Sequence, residues 1–172
     1  MIQTRINRIS SVVIALLSFS YSTIQAQALP EFNEKPAYVD GKLNELKELE
    51  KSSYNKMAKA KGLTKAEAGF FLKGPASSVR IAQQPVLKFV VKVNPGTDPS
   101  AVFDLVRFEI RKDQRVFIVA TANATSSTTS FEKISYELKK IKEGYYYLLV
   151  KNMGVGEYFF GSADFMFAFG IE

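Results

Sequence analysis

From Ala66 to the C-terminus apolar residues return at nearly every second position, and this period of two constrains the fold more than any other feature of the chain. Successive side chains of an extended strand point to opposite faces, so such alternation describes strands with one face in a core and one in water. Val86–Val93 sets Leu87, Phe89, Val91 and Val93 against Lys88 and Lys92. Leu105–Lys112 sets Val106, Phe108 and Ile110 against Arg107, Glu109 and Arg111, and Phe131–Ile141 sets Ile134, Tyr136 and Leu138 against Lys133, Glu137 and Lys139. Phe165, Phe167, Phe169 and Ile171 share one face of a last strand. Further strands are expected at 69–72, 78–81, 115–122, 145–151 and 157–160. Gly74-Pro75, Asn94–Pro99, Asp113-Gln114, Glu143-Gly144 and Gly154-Val155-Gly156 punctuate them with turn chemistry. About ten short strands at this spacing predict an all-β fold, an antiparallel β-sandwich of Ig-like or jelly-roll-like kind.

The stretch before Ala66 is less regular. Leu29–Pro36 reads as an extended lead-in. Ala37-Tyr38-Val39, the turn Asp40-Gly41 and Lys42–Glu48 read as a hairpin, Asp-Gly being a favoured two-residue turn. A helix from Leu43 to about Ala60 competes with it, because Leu43, Leu46 and Leu49 sit at helical spacing among Lys and Glu. Ser52–Thr64 reads as a polar connection, and Thr121–Ser130 as a flexible loop tip. The latter contains a glycosylation sequon, Asn123-Ala124-Thr125, which matters only in a eukaryotic host.

Residues 1–28 have the pattern of an export signal. Arg5 and Arg8 precede the uncharged apolar run Val12–Phe19, and Ala26-Gln27-Ala28 supplies the small-x-small cleavage pattern, with cleavage after Ala28. The run is shorter than the roughly 20 residues a membrane span requires. The expected organisation is a signal peptide at 1–28 and a single β-sandwich domain at 29–172, released to the periplasm or the extracellular space without a transmembrane anchor. Removing 28 of 172 residues leaves 144. It takes two of the 23 basic residues and none of the 17 acids, so the net charge falls from +6 to +4. The remaining charges are interleaved, which describes a solvated surface with weak attraction to anionic envelope surfaces. Export argues against a nucleic-acid partner.

The chain has no Cys, His or Trp. Disulfides, a lipid-modified Cys, Ser-His-Asp and Cys-His catalysis, and His- or Cys-based zinc sites are therefore closed to it. What remains is a carboxylate pair, as in glycoside hydrolysis, or Ser with Lys as base. The acids Asp98, Asp104, Glu109, Asp113, Glu157 and Asp164 stand in no catalytic context. Glu109 reads as a cross-strand ion-pair member, and Glu157 as bonded to a turn or a base. Asn94, Thr97, Asp98 and Asp104 lack the alternating ladder of a calcium loop, and no helix follows Gly154-Val155-Gly156 to make a phosphate cradle. No catalytic residue, metal or cofactor is expected.

Leu105-Val106-Arg107-Phe108, Arg115 after a Lys-Asp turn, Gly156-Glu157-Tyr158-Phe159-Phe160 and Phe167-Ala168-Phe169-Gly170 recur in that order in a group of uncharacterised exported bacterial proteins. Over residues 86–172 the chain resembles that group, with its C-terminal Gly-Glu-Tyr strand and Phe-Gly ending. The resemblance implies a β-sandwich of bacterial origin and implies no activity.

The aromatic runs are the one surface feature that points to a partner. Tyr146 should join Leu148 and Val150 in the core. Tyr145 and Tyr147 then take the second face with Leu149, and Phe159 lies opposite Phe160. Either these strands are covered on both faces, or Tyr145, Tyr147 and Phe159 form an exposed binding strip. The expected function is that of an exported, non-catalytic envelope protein that binds a protein or a surface polymer. The alternatives are a carboxylate-based glycoside hydrolase and a small outer-membrane β-barrel. The oligomeric state is left open.

Overall fold

The computed structural model describes residues 28–41, 45–62, 64–129 and 131–172. Residues 1–27 of the expected export signal, including Ala26 of the expected cleavage pattern, lie outside the described residues, of which Ala28 is the first. In chain order the elements are β1 (Ala37–Asp40), β2 (Glu45–Glu48), β3 (Glu50–Ser53), β4 (Asn55–Lys61), β5 (Lys65–Lys73), β6 (Arg80–Ile81), β7 (Val86–Lys92), α1 (Pro99–Val102), β8 (Asp104–Arg107), β9 (Glu109–Arg111), β10 (Gln114–Asn123), β11 (Ser127–Thr129), β12 (Glu137–Lys142), β13 (Tyr145–Lys151), β14 (Gly156–Gly161) and β15 (Phe165–Ile171).

The expected antiparallel sandwich is present, with three sheets among the described residues rather than two. A front sheet has the order β12-β13-β7-β1-β2, a middle sheet β3-β15-β14-β8, and a back sheet β11-β10-β5-β4, with β9 also on β10. All pairings between strands are antiparallel except that of β6, which lies parallel to β15. The middle sheet is where the aromatic sequence matters most. β15 (FMFAFGI) and β14 (GEYFFG) are apolar on both faces, so each face needs a cover. On one side Tyr158, Phe160, Phe167, Phe169 and Ile171 meet Tyr38, Leu87, Phe89, Val91, Leu148 and Val150 of the front sheet. Phe89 stands with its ring centroid 5.0 Å from Phe160 and 4.9 Å from Phe169. On the other side Val106, Phe159, Met166 and Ala168 meet Leu72 and Phe117 of the back sheet, with Phe108. Each fully buried side chain of this kind contributes about 1.5–3 kcal/mol.

The three layers are stitched by single residues. Between β2 and β3 only Leu49 intervenes, between β3 and β4 only Tyr54, and between β8 and β9 only Phe108. Leu49 turns the chain from front to middle sheet and is buried in the first core. Tyr54 and Phe108 turn it from middle to back sheet and pack in or against the second.

Several local expectations change. The helix weighed for 43–60 is absent from the described residues 45–60, which form β2, β3 and β4, and the polar connection expected at 52–64 is largely strand. The hairpin of β1 and β2 exists, but Asp40 pairs with Glu45, so its connection is longer than Asp40-Gly41. Arg111 pairs with Gln114, which moves the next turn to Lys112-Asp113, with Lys112 at φ 55°. The loop expected at 121–130 is narrower, because β10 runs to Asn123 and β11 pairs back onto it. Ile110 is 47% exposed, not buried with Phe108: the chain changes sheet at Phe108 and the alternation restarts.

Candidate functional site

The outer face of the front sheet collects the residues best placed for recognition. β13 turns Leu148 and Val150 into the core, which sends Tyr145, Tyr147 and Leu149 outward. Antiparallel register then decides their neighbours. Tyr145 lies between Lys142 of β12 and Lys92 of β7, Tyr147 between Lys139 and Val90, and Leu149 between Glu137 and Lys88. Residues directly opposite on an antiparallel pair share a face, so two tyrosines run down the centre with lysines on both sides. The Lys142 Nζ is 4.6 Å and the Lys92 Nζ 5.7 Å from the centroid of the Tyr145 ring, and the Lys88 Nζ is 5.1 Å from that of Tyr147. Such cation–π contacts hold the ammonium groups over the rings.

Lys88, Lys139 and Lys142 are exposed, and among the described residues Lys88, Lys92, Lys139 and Lys142 join no ion pair. The nearby acids are committed elsewhere: Glu137 to Lys151 at 3.0 Å and Glu143 to Lys140 at 2.6 Å. Lys92 donates to the Glu31 carbonyl at 2.8 Å. That contact belongs to the lead-in, which lies over the β1–β2 half of the same face. Leu29, Pro30 and Phe32 line a cavity of about 180 Å³ with Ala37, Leu46 and Glu48. On the β12–β13–β7 half Lys88, Lys139 and Lys142 are exposed and Tyr145, Tyr147 and Leu149 half-exposed, while Val90 between them is buried. Burial raises the pKa of the Tyr147 phenol, which keeps it a hydrogen-bond donor across the neutral range.

Phe159 does not join this strip. It belongs to the middle sheet, is 1% exposed and packs 5.2 Å from Phe117 and 4.5 Å from Phe108. The reason is the break at Gly154–Gly156, which carries the chain from the front sheet to the middle one, so β13 and β14 are not neighbours. Sequence reasoning placed Lys88, Lys92 and Lys139 on solvent-facing sides without joining them to the tyrosines. The missing signal was the pairing of β7 with β13, strands more than 50 residues apart.

The other candidates have structural partners. Asp98 caps α1, accepting from the Ser100 backbone N–H at 2.9 Å and its hydroxyl at 2.8 Å, bonds that lower its pKa. Asp104 pairs with Lys133 at 2.8 Å. Glu109 pairs with Arg111 of its own strand at 2.7 Å, and Arg111 reaches across to Glu67 at 2.6 Å. Asp113 and Asp164 are exposed in turns.

A buried polar network closes one end of the space between middle and back sheets. Arg115, 2% exposed, makes a two-pronged pair with Glu50 at 2.9 and 2.7 Å and also donates to the carbonyls of Gly74 and Lys73. Burial opposes ionisation of Glu50. Hydrogen bonds from Arg115, Ser77 and Ser78 outweigh it, and the carboxyl sits below its ordinary pKa. Beside it the buried Glu157 pairs with Arg80 and accepts the Ser77 backbone N–H at 2.7 Å, while Arg80 also holds Glu172 at 3.1 Å. Glu157 and Gly170 are register partners, and the Arg80 guanidinium lies across Gly170. A methyl at 170 would occupy the guanidinium position. Gly170→Ala is therefore expected to destabilise by about 1–3 kcal/mol, measured as a lower urea midpoint with unchanged slope. An unchanged midpoint would show that Arg80 can leave without cost.

Two grooves of about 500 and 520 Å³ flank the part-exposed ring of Phe131, and Val106 and Phe117 line both. Phe131 stands edge-on against Phe117 at 4.8 Å and divides them. The first groove carries two bases and two acids, Arg107, Lys151, Glu109 and Glu132, so no charge preference emerges there. The tyrosine–lysine face, by contrast, carries four lysines and one acid, Glu137, which is paired to Lys151. Comparison of the chain with protein-family models, curated proteins and solved structures finds no match.

Proposed function

We propose that this chain is an exported binding module of the bacterial envelope, without catalytic chemistry of its own, that takes a partner on the β12–β13–β7 half of the front sheet. The observation that carries the reading is the alignment of Tyr145 and Tyr147 with four lysines that form no ion pair among the described residues. Cationic side chains and part-exposed aromatics held in fixed rows on a rigid sheet are pre-organised for contact, so binding costs little ordering entropy. The interior supports this reading. The buried acids Glu50 and Glu157 are held by guanidinium groups, and Glu67 with Glu109, like Glu157 with Glu172, share one arginine. The signal pattern at 1–28 and the resemblance over 86–172 supply the export and bacterial parts of the proposal.

The test is site-specific photo-crosslinking in cells. A photoreactive residue replacing Tyr147 is expected to give discrete higher-mass adducts. The same residue replacing the exposed Thr121 of the back sheet should give none beyond background. Equal adduct patterns at the two positions would remove the front face as the binding surface.

A further inference from the structure

Resting on that reading of the front face, we infer that its occupant is an acidic glycan, a sugar chain bearing carboxylate or other anionic groups. The face is built almost entirely of donors. Each lysine presents three N–H donors and no acceptor, and the phenols of Tyr145 and Tyr147 have no hydrogen-bond partner among the described residues. With strands about 4.8 Å apart and residues spaced about 3.4 Å along them, Lys88 and Lys92 on one edge and Lys139 and Lys142 on the other lie on a patch of roughly 10 Å by 13 Å, whose fourth corner is Glu137, already paired to Lys151. A ligand that satisfies this patch is rich in oxygen acceptors, negatively charged and extended over several units. An acidic glycan brings charged groups for the lysines and hydroxyl oxygens for the phenols.

Other polyanions fit less well. A single-stranded nucleic acid would need ring faces on which bases can stack. Here Lys142 and Lys92 lie over Tyr145, and Lys88 over Tyr147, so the faces are already capped. An anionic bilayer calls for apolar side chains that project into the interface. Tyr145, Tyr147 and Leu149 instead lie part-buried at the level of the sheet. An acidic peptide brings backbone N–H donors, and the acceptor nearest the strip, Glu137, is engaged by Lys151. Charge complementarity and the excess of donors together select the glycan.

The experiment is affinity electrophoresis of the purified protein in gels containing polygalacturonate, dextran or polyphosphate, with sedimentation on vesicles of anionic and zwitterionic phospholipid alongside. Polygalacturonate is expected to retard the protein and dextran to leave it unmoved. Each ammonium beside an anionic surface is worth a factor of about five. The triple variant Lys88→Gln/Lys139→Gln/Lys142→Gln should therefore bind more than tenfold more weakly, with an unchanged urea midpoint as evidence of folding. Molar salt should release the wild type. Tyr145→Phe/Tyr147→Phe keeps the cation–π contacts and removes the hydroxyls, so it should weaken binding less than the triple variant. Absence of retardation by polygalacturonate overturns the inference, as does polyphosphate or vesicle binding that equals or exceeds it. Adducts at position 147 containing a protein would overturn the glycan while leaving the front face as the binding surface. Loss of position-specific adducts would remove the face itself.

Discussion

Glu50→Gln should cost about 3–5 kcal/mol of stability, because it leaves the Arg115 guanidinium buried without its counter-charge. The neutral amide can still accept a bond, but it cannot offset the full charge of a guanidinium that is itself 2% exposed to water, beside a carboxylate 22% exposed. Urea unfolding reads the effect as a lower midpoint. Replacing both members by an apolar pair, Glu50→Met with Arg115→Met, should recover most of the loss, since the cost lies in stranding one charge rather than in lacking a pair. If the single substitution is as mild as the double one, water reaches Arg115 and the site is not dry. The same pair sets an acid limit. The folded Glu50 carboxyl has a pKa below its ordinary value of 4.5. Its contribution is complete above that value and is lost as pH falls through the lower folded value. A pH series of urea midpoints should show this decline in the wild type and a shallower one in Glu50→Gln.

Gly69→Ala should be at least as damaging. Gly69 of β5 sits opposite Ile118 of β10, beside the register shift between Ile118 and Ala120. A Cβ at 69 would overlap the Phe117 carbonyl oxygen and stand 3.0 Å from the Ile118 Cα. Both atoms are backbone, so no rotamer change relieves the clash. The strands must part or the bulge must move, at a cost on the order of 3 kcal/mol or more. The readout is the thermal midpoint. It should fall furthest for Gly69→Ala and stay near the wild-type value for Gly154→Ala, where a Cβ meets nothing within 4 Å. Equal midpoints for the two variants would mean that the bulge yields freely.

Where one face of a strand meets water and the other a core, the sequence is explicit: the start of β7 and the first residues of β12 follow their alternation, whereas β12 loses it at the register shift between Lys140 and Lys142. Partition into sheets is a different kind of information. β14 and β13 read alike, as aromatic strands apolar on both faces, yet one is covered on both sides and the other keeps a face open. That difference comes from long-range pairing, which local pattern does not encode. The short strands β2 to β4 were obscured by their charge. Edge strands rich in Lys and Glu resist pairing with other molecules but imitate a solvated helix. At the candidate site, Tyr145 and Tyr147 were legible from their period, whereas the lysines became a site only once β7, β13 and β12 lay side by side.

The single-residue stitches at Leu49, Tyr54 and Phe108 bear on the order of events in biosynthesis. The middle sheet joins β3, from residues 50–53, to β15, from residues 165–171. Both cores rest on that sheet, so neither can close until β15 has left the ribosome. Until then both faces of the nascent middle sheet stay open to chaperones. The layers then close as a linked set, since the chain that leaves one sheet enters the next after a single residue.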